Sequence, residues 1–193
     1  VHEDGIRVAP PADVLPDLLD PIDYRVDGLV TDEPGLCLTI YYADCIPVLL
    51  YDPVRRAIAA VHSGWRGTSL GIAPKAVAKM TALYGTRPED VLAAIGPGIG
   101  PCCFETHDDV PTALEDRLGP AVRPFCHPLE QAAGKFTVDL KGIIAWELRQ
   151  AGLAEEHIDT LPLCTACHPE LYWSHRKMGD QRGNHAAMIA LEG

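Results

Sequence analysis

At 193 residues the chain is long enough for one domain with a full core, and 47% hydrophobic with 22% charged residues is ordinary for a folded protein. A formal charge of -11 argues against nucleic acid or an anionic membrane as partner, and no apolar run approaches the roughly 18 residues of a membrane helix. Seven cysteines with no visible signal peptide imply thiols in a reducing compartment, taken as the cytoplasm, rather than a disulfide framework.

The chain opens on Val1 rather than Met, so the domain is expected to lack an N-terminal segment. Val1 to Asp23 carries Pro10, Pro11, Pro16 and Pro21 among scattered acids and reads as strand ends and loop. His2, taken alone, is a terminal side chain without a role. Asp27-Gly28-Leu29-Val30-Thr31 reads as a turn into a short strand, and Leu36 to Tyr42 as a second strand.

Two apolar runs of strand length, Ile46 to Tyr51 and Ala57 to Val61, flank an Asp-Pro-Val-Arg turn and predict a hairpin folded about Pro53 and Val54. That register sets Cys45 opposite His62, with both side chains on one face; a one-residue slip would separate them. The pair reads either as packing or as a metal or nucleophile site. The sequence after it favours chemistry. Ser63-Gly64-Trp65-Arg66-Gly67-Thr68-Ser69 is a glycine-bearing turn into a helix, and free N–H groups at a helix start beside the Arg66 guanidinium would make an anion site. A phosphate-bearing substrate would need such local cations, and Arg66 and Arg176 are the candidates.

Pro74 to Tyr84 has helical spacing with Gly85 as its stop, and Pro74 suits the first helical position or a mild kink. Pro88-Glu89-Asp90 precedes a buried strand, Val91 to Ile95. Gly96, Gly98 and Gly100 follow in a stiff loop that lacks the helix of a dinucleotide site, so they read as structural. Cys102 and Cys103 read as structural too, since strain opposes adjacent residues serving one ion. Val110 to Leu118 is a modest amphipathic helix, Phe136 to Leu140 a strand, Lys141 to Ala151 a helix stopped by Gly152, and His157 to Leu161 another strand.

Cys164-Thr165-Ala166-Cys167 has the gap of a zinc knuckle, but no second Cys-x-x-Cys exists, so it reads as loop packing. Ser174-His175-Arg176-Lys177, after Leu171-Tyr172-Trp173, would either line a pocket or lie on the surface. With no internal repeat, the expected fold is α/β (mixed α+β): one layered domain over residues 1–193, with a mixed β-sheet and flanking helices.

Ala43-Asp44-Cys45-Ile46-Pro47-Val48, His62-Ser63-Gly64-Trp65-Arg66-Gly67, Gly96 through Glu105, and Cys164-Thr165 to Ser174-His175-Arg176 resemble, in order and spacing, the bacterial laccase-domain family. It is also described as a multicopper polyphenol oxidase family and as purine nucleoside phosphorylases. The resemblance implies a zinc held by Cys45, His62 and a third ligand, for which Val1-His2 fits a Gln-Val-His-Gly segment. Glu3 stands where the family has Gly, and Arg182-Gly183-Asn184 replaces Thr-Gly-Arg, so no arginine role is carried to Arg182.

The activity implied is phosphorolysis of adenosine, inosine or methylthioadenosine to base and pentose 1-phosphate, with adenosine deamination as a second activity. Purine nucleoside and phosphate would be the partners, without nucleic acid or membrane, and with a homodimer as the possible assembly. Two imidazoles and a thiolate leave zinc an open position, from which a water of pKa near about 7 would attack C6 of adenine. Arg66 and the adjacent turn of Gly64 and Trp65 would hold phosphate, with His175 and Arg176 as further substrate- or phosphate-binding residues, while Asp44 would orient a ligand or accept a proton. Copper is an alternative occupant, since it outcompetes zinc at nitrogen and sulfur. Two other activities compete: a copper polyphenol oxidase, disfavoured by only eight histidines and no His-x-His, and a metal-free thiol hydrolase with Cys45 as nucleophile and His62 as base.

Overall fold

The computed structural model describes residues 4–10 and 25–193, and its main sheet is built around the predicted hairpin. The strands are β1 (Ile6–Val8), β2 (Gly28–Thr31), β3 (Cys37–Tyr42), β4 (Ile46–Asp52), β5 (Ala57–Ser63), β6 (Leu92–Ile95), β7 (Glu105–His107), β8 (Cys126–Pro128), β9 (Lys135–Val138), β10 (Ile158–Thr160) and β11 (His185–Ala190). The helices are α1 (Trp65–Ser69), α2 (Ile72–Tyr84), α3 (Asp109–Leu118), α4 (Leu140–Gln150) and α5 (His175–Met178). Six strands pair in the order β1-β2-β5-β4-β6-β10, while β3 pairs with β11 and β9 lies between β7 and β8. The pairings β1 to β2 and β6 to β10 are parallel and the rest antiparallel, so the sheet is mixed, as expected.

Side-chain alternation splits the sheet between two cores. Val30, Val48, Leu50, Ala59 and Val61 face Ile72, Val77 and Met80 of α2 and Ile143, Ile144 and Leu148 of α4. Leu29, Leu49, Ile58 and Ala60 face Leu38 and Ile40 of β3 and Ile189 of β11. Strands buried on both faces read as nearly continuous apolar runs. Each fully buried Leu or Ile contributes about 1.5–3 kcal/mol.

The hairpin register departs from expectation. Asp52 Oδ1 accepts the N–H groups of Val54 at 2.8 Å and Arg55 at 3.0 Å, and Arg56 adopts φ 53. The loop therefore runs from Pro53 to Arg56, two residues longer than a turn about Pro53 and Val54, and Pro47, not Cys45, stands opposite His62. A shift of two preserves parity, so Cys45 remains on the face of His62.

Other differences have local causes. The strand expected to reach Leu140 ends at Val138, because Asp139 caps α4 by accepting the Gly142 N–H at 3.0 Å. Pro74 sits in the first turn of α2, and Gly85 ends that helix at φ 69. Ile6–Val8 forms a strand inside the proline-rich opening, whereas Pro11, Pro16, Pro21 and His2 lie outside the described residues. The weakly apolar β7, β8 and β11 were not expected; β11 covers β3 from His185 opposite Tyr42 to Ala190 opposite Cys37.

Candidate active site

One end of the β4/β5 hairpin opens into a cavity of about 540 Å³. Asp44, Cys45, His62, Gly64, Trp65, Arg66, His175 and Arg176, dispersed in sequence, all line it. Three connections bring them together. Along the edge of β4, Gly96 N–H donates to the Pro47 carbonyl at 2.9 Å and Ile99 N–H to the Asp44 carbonyl at 2.8 Å. Gly98 permits this approach, since a Cβ there would lie 3.0 Å from the Asp44 carbonyl oxygen and 3.2 Å from that of Cys45. Gly98 therefore has a packing role, in keeping with the structural reading given to it.

The second connection is Asp44, which is 8% exposed and adopts φ 76, a left-handed conformation that Asp tolerates better than most residues. Its Oδ1 accepts the Thr165 hydroxyl at 2.6 Å, and its Oδ2 accepts the Ser174 hydroxyl at 3.0 Å and the Arg176 N–H at 2.7 Å. Three donors occupy this carboxylate, so it holds the turn before Cys45 against the Thr165 loop and the start of α5. Ser174 also caps α5.

The third is His62. Because β2 pairs with β5, Gly28 opposes Val61 and Asp27 lies beside His62. The Asp27 carbonyl accepts the His62 N–H at 2.7 Å, and Asp27 Oδ1 lies 2.8 Å from Nδ1. Burial opposes charge on the ring, yet the Asp27 carboxylate and the Cys45 thiol, both hydrogen-bonded to it, raise the imidazole to about 9. A carboxylate on Nδ1 directs the ring's other nitrogen to a ligand, as in carboxylate–histidine–metal arrangements. The soft thiol and oriented imidazole fit zinc or copper; the third expected ligand, His2, lies outside the described residues.

The cationic side takes a different form from that expected. Helix α1 is only five residues long, so its dipole is small and Arg66 carries the positive charge. Its guanidinium stacks 4.4 Å from the Trp65 ring centroid and has no hydrogen-bond partner among the described residues. Arg176 donates to the carbonyls of Cys103 and Glu105, each at 2.9 Å. Arg182, to which no role was carried, also lines the cavity, and donates to His175 Nδ1 at 3.3 Å and Asn184 Oδ1 at 2.6 Å. The lining also includes Tyr41, Tyr42, Ile99 and Phe104, a surface suited to a flat ring.

Behind this wall, Cys102 and Cys103 meet Cys164 and Cys167, all four sulfurs lying within 4.8 Å of one another. The vicinal pair thus supplies the partners that the Cys-x-x-Cys lacks in sequence. Strain does not keep the adjacent sulfurs apart, because Pro101 to Cys103 forms a turn, with Cys103 and Phe104 N–H both donating to the Gly100 carbonyl. In an extended strand adjacent side chains would point oppositely.

The geometry has close relatives. The family model described as multi-copper polyphenol oxidoreductase laccase matches residues 1–192. Purine nucleoside phosphorylase YlmD of Geobacillus stearothermophilus is 38% identical over 175 residues, covering 87% of this chain and 60% of that protein. Purine nucleoside phosphorylase LACC1 of Mus musculus is 36% identical over 169 residues, covering 86% of this chain and 38% of that protein; the chain thus spans less than two thirds of either relative. The crystal structure of the Bacillus licheniformis hypothetical protein YfiH superposes with a TM-score of 0.89 at 32% identity, covering 100% of this chain and 72% of that one. With nearly its whole length matched in sequence and in fold, the chain belongs to the multi-copper polyphenol oxidoreductase laccase family.

Proposed function

We propose that the chain is a purine nucleoside phosphorylase, cleaving adenosine, inosine or methylthioadenosine with phosphate, and that it deaminates adenosine as a second activity. The observation that carries the reading is that Cys45 and the Asp27-oriented His62 share one cavity with Arg66, Arg176 and Arg182. The names of the relatives agree with it.

Cys45, His62 and His2 would hold zinc. Bound there, the metal would supply Lewis-acid charge to the purine. Arg66, with Arg182 and His175, would hold phosphate so that one oxygen attacks C1′ as the glycosidic bond breaks and its electron pair leaves with the base. Tyr41, Tyr42 and Phe104 would pack the ring and exclude water. Asp44 keeps Cys45 and α5 in place through its three hydrogen bonds. We place the reaction in the cytoplasm, in keeping with seven free cysteines. Among the described residues no helix is long and apolar enough to cross a membrane.

A second reading, a metal-free thiol enzyme, draws on the raised pKa of His62, which keeps an imidazolium beside the Cys45 sulfur. The oxidase reading has less support: among the described residues, the group of three or more metal-type side chains within reach of one ion is the four cysteines, not a set of histidines.

Adenosine and inosine should be assayed with and without phosphate and scored for adenine, hypoxanthine and ribose 1-phosphate. Base release that requires phosphate and disappears in chelator, in Cys45→Ala and in His62→Ala is the expected result. Turnover that survives chelator but not alkylation of Cys45 would establish the thiol enzyme instead.

A further inference from the structure

We propose that Cys102, Cys103, Cys164 and Cys167 form a second metal site, a closed tetrathiolate that holds zinc for structure and braces the active-site wall. The inference stands apart from the reaction at Cys45.

The sulfur geometry comes first. Cys167 Sγ lies 3.4 Å from both Cys102 Sγ and Cys103 Sγ. A disulfide would choose one partner at about 2.05 Å. Four sulfurs around one zinc, each about 2.3 Å from it, stand roughly 3.8 Å apart at tetrahedral angles. A cluster with all sulfurs within 4.8 Å of one another needs little adjustment to reach that shape.

The surroundings suit a doubly negative complex. Gly100 N–H donates to Cys164 Sγ at 3.2 Å, the kind of hydrogen bond that offsets thiolate charge at a metal. Position 100 favours glycine for this, since a Cβ would lie 3.2 Å from Cys164 Cβ and 3.4 Å from Cys102 Sγ. Lys141, 5% exposed, lines the cleft beside Cys102 and Cys164 and donates to the carbonyls of Leu161 and Leu163, each at 2.9 Å, while forming no salt bridge among the described residues. A buried ammonium is costly unless negative charge lies near. The Asp139 carboxylate, which lines the same cleft, supplies part of it, and a zinc with four thiolates would add to it.

The consequence reaches the cavity. The site joins the Gly96 to Cys103 loop, which hydrogen-bonds along β4, to the loop bearing Thr165, which donates to Asp44. The same turn presents the Cys103 carbonyl to Arg176. Four ligands from the protein leave no open position, so this metal is structural.

Full-length protein should be prepared anaerobically, equilibrated with zinc and desalted, with metal read by mass spectrometry. In the Cys45→Ala/His62→Ala variant one zinc per chain should remain, and adding Cys164→Ser/Cys167→Ser should remove it. In the otherwise unchanged chain Cys102 and Cys167, though exposed, should resist iodoacetamide until a chelator releases all four thiols together. Cobalt(II) should give intense sulfur-to-metal charge-transfer bands with the d–d pattern of a tetrathiolate. These two measurements stand even if the serine variant fails to fold. No metal in the Cys45→Ala/His62→Ala variant, immediate alkylation of Cys102 and Cys167, or a disulfide from Cys167 to Cys102 or Cys103 under these conditions would overturn the proposal. One iron per chain in place of zinc would overturn the assignment of the metal.

Discussion

Asp27 holds His62 twice, through a 2.7 Å hydrogen bond from the His62 N–H to its carbonyl and through a 2.8 Å contact from its carboxylate to Nδ1. Backbone pairing sets where the histidine sits, and the carboxylate sets which nitrogen meets the cavity. Asp27→Asn keeps the first and weakens the second. Loss of such a partner lowers metal affinity by about 10- to 100-fold. Zinc titration of Asp27→Asn should show that drop, with circular dichroism unchanged; wild-type affinity would remove Asp27 from the account of the site.

Arg66 and Arg182 should separate phosphate from nucleoside. Losing a charge-assisted hydrogen bond costs about 1.5–3 kcal/mol, which corresponds to roughly 10- to 150-fold in kcat/KM. Arg66→Ala and Arg182→Ala should raise the KM for phosphate by that order and leave the KM for inosine within about threefold. The larger effect belongs to Arg66, whose guanidinium has no hydrogen-bond partner among the described residues, whereas Arg182 is shared with His175 and Asn184. Equal rises in both KM values would assign these arginines to general packing.

Much of this site follows from period-two alternation. Cys45 and His62 lie on one face because they flank a hairpin, and the two-residue register error left that face unchanged. Contacts between remote segments were not legible. Nothing near Asp27 marks it as the partner of His62, since the contact exists only after β2 pairs with β5. Arg182 looked like a departure from a motif, yet the chain folds it against His175. Adjacency in sequence argues against the vicinal cysteines sharing an ion, and only the turn after Gly100 aims both toward Cys167. The C-terminal strand is not legible in the sequence because Ala186, Ala187 and Ala190 give it little apolar contrast.

Asp44→Asn tests the carboxylate that holds three donors. Asn tolerates the left-handed backbone at φ 76, so the substitution isolates the side chain. An amide that keeps its oxygen on the Ser174 hydroxyl and the Arg176 N–H turns its NH2 to the Thr165 hydroxyl. That hydroxyl must then accept and leaves its own proton without the acceptor it had, while the hydrogen bonds lose their charge assistance. A buried group left mispaired costs about 1–3 kcal/mol, and thermal or denaturant unfolding should show a loss of that order. The bracing of Cys45 and α5 weakens with it, so kcat of the proposed reaction should fall while the zinc proposed at Cys45 and His62 is retained. Unchanged stability and kcat would show that these hydrogen bonds carry no structural weight.

Glu147, which does not line the cavity, gives a pH test of the core. It lies on the buried side of α4 at 3% exposure, and neither carboxylate oxygen has a hydrogen-bond partner among the described residues. Burial pushes its pKa from 4.5 up to about 8. Below 4.5 both the folded and the unfolded chain hold this proton, and it has no effect on stability. Between those values the folded chain keeps the proton while the unfolded chain releases it, so stability falls as pH rises, by up to about 1.4 kcal/mol per unit. Above about 8 the folded chain buries a charge and the whole penalty, on the order of a few kcal/mol, is present. Glu147→Gln removes the titration but still buries an unpaired amide. It should match or fall slightly below the wild type at pH 5 and exceed it at pH 8.5 by several degrees in Tm. Parallel Tm profiles for the two proteins across that range would show that Glu147 ionises without cost in the folded chain.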